Sequence, residues 1–272
     1  MILVSGGAGY IGSHTLLSLA EAGYELLIVD NLSLGRREFV LAGELVELDL
    51  RDRESLARLF ADRRVEGIIH FAALSQVGQS MVDPALYFDN NITGGLNLFG
   101  LAAQAGAPVV FSSSCAVYGQ PQSLPLREDH PRKPVSPYGF TKLVLERALE
   151  EYHRAYGLPY LSLRYFNAAG AEPQARLGEA HQPETHLIPL VLQVAAGQRE
   201  SVAIYGTDYP TPDGTCIRDY IHVLDLAQAH LLALAHLAGQ ADGRALNLGL
   251  GRGFSVQEVV EVCGRVTGRP IQ

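Results

Sequence analysis

The chain opens on a pattern that few folds can house. Ile2-Leu3-Val4 is a short apolar run with the character of a buried strand, and it leads straight into Ser5-Gly6-Gly7-Ala8-Gly9-Tyr10-Ile11-Gly12. A helical stretch follows to Ala22, where Gly23 supplies a stop, and Glu25 to Val29 is a second strand ending in Asp30. Strand, Gly-x-Gly-x-x-Gly, helix, strand and acid, in that order, make the arrangement that holds a dinucleotide. The glycines let the backbone approach a pyrophosphate at a helix N-terminus, and the acid meets the adenine ribose hydroxyls. Asp30 would repel a 2′-phosphate, which favours NAD over NADP, although Arg36 and Arg37 lie close by.

Strand and helix signals then alternate. Leu45 to Leu48 reads as a strand, Arg53 to Arg63 as a helix and Gly67 to Phe71 as a strand. Pro84 to Ala105 is a long helix, Val109 to Ser112 a strand, Pro137 to Tyr156 a helix and Tyr160 to Arg164 a strand. The fold class is α/β, a doubly wound parallel (Rossmann) sheet, with ligands beyond the carboxyl ends of its strands. From Asn167 the pattern loosens into a loop or lid as far as Thr185. Beyond it, Leu187 to Ala196, Leu224 to Leu237 and Ser255 to Val266 read as helices, and Val202 to Tyr205 and Ala245 to Leu248 as strands. Residues 1–166 are thus expected to form the cofactor domain. Residues 167–272 are expected to form a smaller substrate lobe that returns some segments to the sheet.

The second informative stretch is Ser136-Pro137-Tyr138-Gly139-Phe140-Thr141-Lys142. Ser136 suits a helix N-cap and Pro137 the first helical position. Tyr138 and Lys142, four apart, then share one helix face. A phenol has a free pKa of ~10, and a base working near neutrality needs it lowered by roughly 3 units. One positive charge at ~4 Å is worth on the order of 4 kcal/mol at an effective dielectric of ~20, enough for Lys142 to supply most of that shift against burial. Composition sharpens the reading: of 21 basic residues only Lys133 and Lys142 are lysine. A compact point charge is retained where guanidinium is used elsewhere. Ser112-Ser113-Ser114, at the end of a strand, offers small hydroxyls for a substrate hydroxyl.

Other classes recede. A net charge of −8 provides no basic stripe for nucleic acid. Cys115, Cys216 and Cys263 are isolated, so neither a disulfide framework nor a cysteine zinc site is implied, and a reducing cytoplasm fits. His181 with His186, and His230 with His236, lack metal-ligand spacing on a helix; no metal is expected. No segment is long and apolar enough to span a bilayer, and the N-terminus lacks the basic region of a signal peptide.

Taken together these motifs resemble the extended short-chain dehydrogenase/reductase family, and within it the UDP-glucose 4-epimerases. The likeness runs through Val29-Asp30-Asn31, His70-Phe71-Ala72, Asp89-Asn90-Asn91, Val117-Tyr118-Gly119, Leu163-Arg164-Tyr165-Phe166-Asn167, Asp208-Tyr209-Pro210-Thr211 and Arg218-Asp219-Tyr220-Ile221-His222-Val223. It implies a tightly held NAD, interconversion of UDP-glucose and UDP-galactose by transient oxidation at sugar C4, and Tyr138, Lys142 and Ser114 as catalytic residues. It further implies cofactor contacts from Gly6, Gly9, Tyr10, Ile11, Gly12, Asp30, Asn31, Asp49, Leu50, Phe71, Ala72, Asn90, Ser112, Tyr138, Lys142 and Tyr165. The UDP-sugar would meet Ser114, Tyr138, Asn167, Leu187, Tyr205 and Arg218. A homodimer through helices 84–105 and 137–156 follows from the same resemblance.

Three departures stand out. Ser75 occupies the place of a family lysine near the cofactor pyrophosphate, and His186 that of an asparagine before Leu187. The chain stops at Gln272, entering a strand, where such epimerases continue and draw an arginine and an aspartate for the nucleotide. Either the chain is incomplete, or its substrate lobe is unfinished and catalysis impaired. Among alternatives, a nucleotide-sugar dehydratase would need an acid and base where Cys115 and Ala116 stand. A 4-epimerase of UDP-N-acetylhexosamine or a UDP-pentose would keep the same catalytic pair. A non-catalytic redox-sensing module would commonly have lost the tyrosine or the lysine.

Overall fold

The computed structural model describes residues 1–272. Its centre is a seven-stranded sheet, with every neighbouring pair parallel. The first three strands are β1 (Ile2–Ser5), β2 (Leu26–Asp30) and β3 (Glu44–Glu47). The others are β4 (Gly67–His70), β5 (Val109–Ser112), β6 (Tyr160–Tyr165) and, after three short strands described below, β10 (Gly243–Leu248). The spatial order is β10-β6-β5-β4-β1-β2-β3, so the direction of winding reverses between β1 and β4. A crevice opens at the carboxyl ends of the strands at such a reversal. β1, β2, β4 and β5 are buried along their whole lengths, which explains why they read as continuous apolar runs rather than alternating ones.

Helices cover both faces. On one, Leu3, Val29, Ile68 and Phe111 of the sheet pack with residues of α2 (Arg53–Asp62), α5 (Gly94–Ala105) and α6 (Pro137–Tyr156). On the other, Val4, Ile28, Ile69 and Val110 pack with Leu16 and Leu19 of α1 (Tyr10–Glu21) and with Leu234 and Leu237 of α8 (Val223–Leu237). The later part of the chain therefore completes the sheet twice over: β10 pairs with β6, and α8 lies against α1.

The expected long helix from Pro84 to Ala105 is continuous but not uniform. After α3 (Val77–Val82), which the sequence reading left out, α4 (Pro84–Tyr87) passes through one π-helical stretch at Phe88–Thr93 and continues as α5. The wider turn leaves Asn90 on the ligand groove. It buries Asn91, whose amide bridges Leu74 to the Thr141 hydroxyl of α6. The strand expected at Val202–Tyr205 is absent. That segment has no ladder partner beyond one bond, Val202 N–H to the Gln272 carbonyl at 2.9 Å, and the closing residues form no strand either. Instead two small sheets cap the groove. β7 (Asn167–Ala169) is parallel to β9 (Tyr220–His222), and β8 (Ile217–Arg218) is antiparallel to β11 (Phe254–Ser255). α7 (Leu187–Ala195) packs on α9 (Val256–Thr267) at the edge of this region. No helix is long and apolar enough to cross a membrane.

Candidate active site

A groove of about 1880 Å³ runs over the carboxyl ends of β1, β2, β4, β5 and β6. A single small-molecule site occupies roughly 300–1,000 Å³, so this groove has room for more than one nucleotide-sized ligand. Its floor at one end is the glycine loop. Gly6 has φ +75°, and a Cβ there would sit 2.4 Å from the Ala72 nitrogen; a Cβ on Gly12 would sit 2.2 Å from the Gly6 carbonyl oxygen. Both glycines are therefore required by backbone packing. Gly9 differs: its only near neighbour would be the Gly6 oxygen at 3.4 Å, so a side chain there would project into the groove instead. Gly9 is also the N-cap of α1, with no side-chain cap and no acid in the first turn. The first N–H groups of α1, from Tyr10, Ile11 and Gly12, are left pointing at open space. That is the donor set a pyrophosphate takes.

Asp30 lies beside this loop, nearly buried, its carboxylate accepting from the amides of Ala8 (3.0 Å) and Leu32 (2.9 Å). Burial pushes its carboxyl up, and those two amides hold it down. Farther out, Asn31 donates to Asp49 at 3.0 Å, and Arg51 hydrogen bonds hold Asp49 well below the usual carboxylate range. Leu50, Phe71, Ala72, Ser75 and Asn90 line the same wall. The glycines, Asp30 and Asn31 thus fit a dinucleotide. The Tyr10 phenol is engaged elsewhere: it donates to the Gly170 carbonyl at 2.6 Å, which leaves its backbone amide for a ligand.

The other end of the groove is built by α6. Ser136 caps it, accepting from Gly139 N–H at 3.2 Å, with Pro137 at the first position, and Gly157 ends it in the left-handed conformation. Tyr138, Lys142 and Glu146 then fall on one inward face at successive turns. Lys142 donates to the Ser112 carbonyl at 2.8 Å, and its Nζ lies 4.9 Å from the Phe111 ring centre and 5.9 Å from that of Tyr138. The Ser112 hydroxyl is 2.6 Å from that of Tyr165. Ser114 accepts from Ala116 N–H at 3.1 Å and lies close enough to Tyr138 to oppose the effect of burial on its phenol.

The electrostatics depart from the expectation based on charge alone. Burial pushes Tyr138 up to about 12 and Lys142 down to about 7; Glu146, one turn on, pulls the lysine back up. In the chain by itself burial wins, and the four-kcal/mol attraction foreseen for Lys142 is not enough to make the phenol acidic. Lys142 is held by the Ser112 carbonyl and the Phe111 ring face. Positive charge brought into the groove would lower the phenol from there.

Of the residues expected to meet a sugar nucleotide, Asn167 and Arg218 line the groove. Asn167 is fixed by donating to the Asp219 carbonyl at 2.9 Å, while Arg218 stands exposed on β8. Leu187 and Tyr205 do not line it: Leu187 begins α7 behind Thr185 and His186, and Tyr205 is 87% exposed. Their places are taken by side chains the sequence reading passed over, among them Tyr209, Cys216, Asn247 and Arg252. Tyr209 belongs to a quoted motif; the others carried no local signal, because only the pairing of β10 with β6 and of β8 with β11 brings them there. His181 and His186, read as ordinary from their spacing, stand together with Glu179 on the groove wall.

The profile of the NAD dependent epimerase/dehydratase family matches residues 2–249. A curated UDP-glucose 4-epimerase from Halalkalibacterium halodurans is 51% identical over 271 residues, covering 99% of this chain and 81% of the relative. The crystal structure of UDP-glucose 4-epimerase from Brucella ovis in complex with NAD superposes with a TM-score of 0.96 at 50% identity, covering 99% of this chain and 83% of that one. A UDP-glucose-4-epimerase structure from Stenotrophomonas maltophila, with bound NAD and formylated UDP-arabinopyranose, gives a TM-score of 0.95 at 42% identity, covering 99% and 84%. Glycine cradle, buried acid and paired tyrosine and lysine agree with this likeness along the chain's whole length: it belongs to the NAD dependent epimerase/dehydratase family.

Proposed function

We propose that this chain interconverts UDP-glucose and UDP-galactose by transient oxidation at sugar C4 on a tightly held NAD. The observation that carries the reading is the meeting of Tyr138, Lys142 and Ser114 at one end of the groove whose other end is the glycine cradle. When bound, NAD would supply positive charge and a reversible hydride acceptor. The remaining work falls to the protein. Gly9, Tyr10, Ile11 and Gly12 hold the pyrophosphate by backbone, and Asp30 and Asn31 the adenosine end. Ser114 would hold the sugar 4-hydroxyl while Tyr138, as the phenolate, takes the proton from that oxygen and returns it to the same oxygen once the sugar has turned its other face. Lys142, drawn toward its charged form by Glu146, would add positive charge to that corner when protonated. Asn167 and Arg218 anchor the nucleotide diphosphate, so the sugar is free to turn between the two half-reactions. Dehydration is disfavoured because Cys115 and Ala116 offer no acid and base, and burial pushes the Cys115 thiol further up.

The name shared by the relatives supports the hexose reading. The sugar nucleotide held by the Stenotrophomonas protein favours, as a second reading, a 4-epimerase of another UDP-sugar, a pentose or an N-acetylhexosamine. The division at residue 166 separates cofactor from substrate functions in this scheme, with β10 and α8 returning to the sheet. Pairing of two copies through helices 84–105 and 137–156 is supported by the apolar side chains that Leu86, Phe88, Leu96, Phe140 and Tyr156 leave exposed there. Three free cysteines fit a reducing cytoplasm. Incubation with UDP-galactose, UDP-N-acetylgalactosamine and UDP-arabinose, with chromatographic separation of products, tests the substrate. UDP-glucose should form from UDP-galactose, and no conversion by protein that retains NAD would overturn the reaction. Cofactor released on denaturation should be NAD; finding NADP instead removes the role given to Asp30.

A further inference from the structure

A short loop on the groove wall gathers side chains that epimerization does not use. Glu179, His181, Glu184 and His186 each bring one metal-ligating atom within 4.8 Å of the others. His181 Nδ1 is 3.1 Å from Glu179 Oε1 and 3.9 Å from Glu184 Oε2. His186 Nδ1 is 2.8 Å from Glu179 Oε1 and 3.0 Å from Glu184 Oε1. Four donors at ~2.0–2.2 Å from one tetrahedral ion would stand roughly 3.3 Å apart, in the middle of these separations.

Two features favour an ion over a simple hydrogen-bonded cluster. The buried Nδ1 of His181 has no hydrogen-bond partner, although Glu179 lies at hydrogen-bonding distance. The two atoms are close without pointing at each other, as ligands directed at a common centre are. The charge balance is equally telling. The side chains of Glu179 and Glu184 are only 9% and 7% exposed, and their sole ionic partners are these two imidazoles. No arginine or lysine neutralises them: Glu184 Oε1 accepts from the Thr185 and His186 amides at 2.7 and 2.8 Å, which hold it in place without cancelling its charge, and two carboxylates so nearly buried call for a cation. One divalent ion would make the set neutral with both histidines in their ligand form.

We propose that Glu179, His181, Glu184 and His186 form a closed four-ligand site for a divalent metal ion, with two nitrogen and two oxygen donors suited to Zn²⁺. All four positions would be filled by protein, which marks the ion as structural. Its effect would be to brace the groove wall. The His181 ring packs edge-on to Tyr10 at 6.2 Å, and Arg36 donates to the Ala180 carbonyl at 3.1 Å, so the loop rests directly on the first turn of α1.

The test is metal binding by chelator-treated protein that retains its cofactor. Titration with Zn²⁺ should saturate at one equivalent and raise the thermal midpoint, and Co²⁺ should give the intense visible bands of a four-coordinate site. The Glu179→Gln/His181→Ala variant should bind Zn²⁺ more weakly by at least the ~10–100-fold that even an outer-shell change costs, and lose the Co²⁺ bands. Should that variant fail to fold, His181→Asn alone is expected to abolish the four-coordinate spectrum. Failure of the parent to bind one equivalent would overturn the assignment and leave a protonated His186 between two carboxylates as the explanation. Equal binding by the variants would place the ion elsewhere and overturn it too.

Discussion

The two walls of the groove are built in opposite ways. The α6 wall is dry and cross-braced. Glu146 accepts from the Ser113 hydroxyl at 2.6 Å and from both Nε and Nη2 of Arg164 at 2.8 and 2.7 Å, with side chains only 2% and 3% exposed. Arg164 also donates to the Tyr118 hydroxyl at 2.7 Å, which passes the bond on to Asn247 of β10 at 2.6 Å. The facing wall carries Arg218 on β8, an exposed strand, and α9, which follows β8's partner β11 outside the groove lining, has no buried residue at all. The comparison teaches a division of labour. Groups whose ionization must be set by their surroundings stand on a scaffold that excludes water. Arg218, which the proposed function gives to the sugar nucleotide, stands instead on a small exposed sheet outside that scaffold.

That contrast can be broken at several points. The largest effect should come from Tyr138→Phe, which removes the proton carrier without disturbing the cradle. Turnover should fall on the order of 10²–10⁴ with NAD still bound, and near-normal turnover would remove the tyrosine from the mechanism. Next, Glu146→Ala strands Arg164 in the interior and should cost about 3–5 kcal/mol in denaturant unfolding. A loss below about 1 kcal/mol would mean the dry wall is not held by this pair.

The acid limb of stability offers a finer measure. His230 lies in the floor against Phe71 and donates through Nδ1 to Leu226, while its Nε2 has no partner. Burial lowers its pKa from 6.5 to about 4. The unfolded chain therefore takes up the proton first as pH falls. The contribution is complete above pH 6.5 and declines between 6.5 and 4. His230→Leu should flatten the fall of thermal midpoint across that window; an unchanged slope would assign it to other groups, such as His70. The smallest effect belongs to the open wall. Val266 on α9 is 79% exposed, and Val266→Ser should change stability by less than about 0.5 kcal/mol. A larger loss would show that the outer face of α9 is packed in solution and would weaken the contrast drawn here.

Legibility followed the same division. The glycine loop, Asp30, the α6 cap at Ser136 and both ends of that helix were readable because each depends on neighbours within a few residues. Glycine conformations, capping and i,i+4 spacing are local physics. Arg218 was readable as a bidentate phosphate ligand only on the condition that it faced a cleft; Asn167 was readable only through resemblance, and Leu187 and Tyr205 were carried over the same way onto positions that do not line the groove. The π turn at Phe88–Thr93 left no trace in the apolar pattern, since its effect is to turn Asn91 toward partners far along the chain and to leave Asn90 on the groove.

The amino-acid sequence by itself determined that a parallel sheet would carry a dinucleotide cradle and would present Tyr138 and Lys142 on one helical face. Only the tertiary structure decided how those two groups are tuned, because ionization depends on who else is buried nearby. Lys142 settles on the Ser112 carbonyl, burial raises the Tyr138 phenol, and the balance between them is struck by elements more than twenty residues apart. Tertiary folding likewise turned Glu179, His181, Glu184 and His186, unremarkable as a string, into one cluster. Spacing along a chain specifies a face of a helix, but in a loop it specifies nothing until the loop has folded.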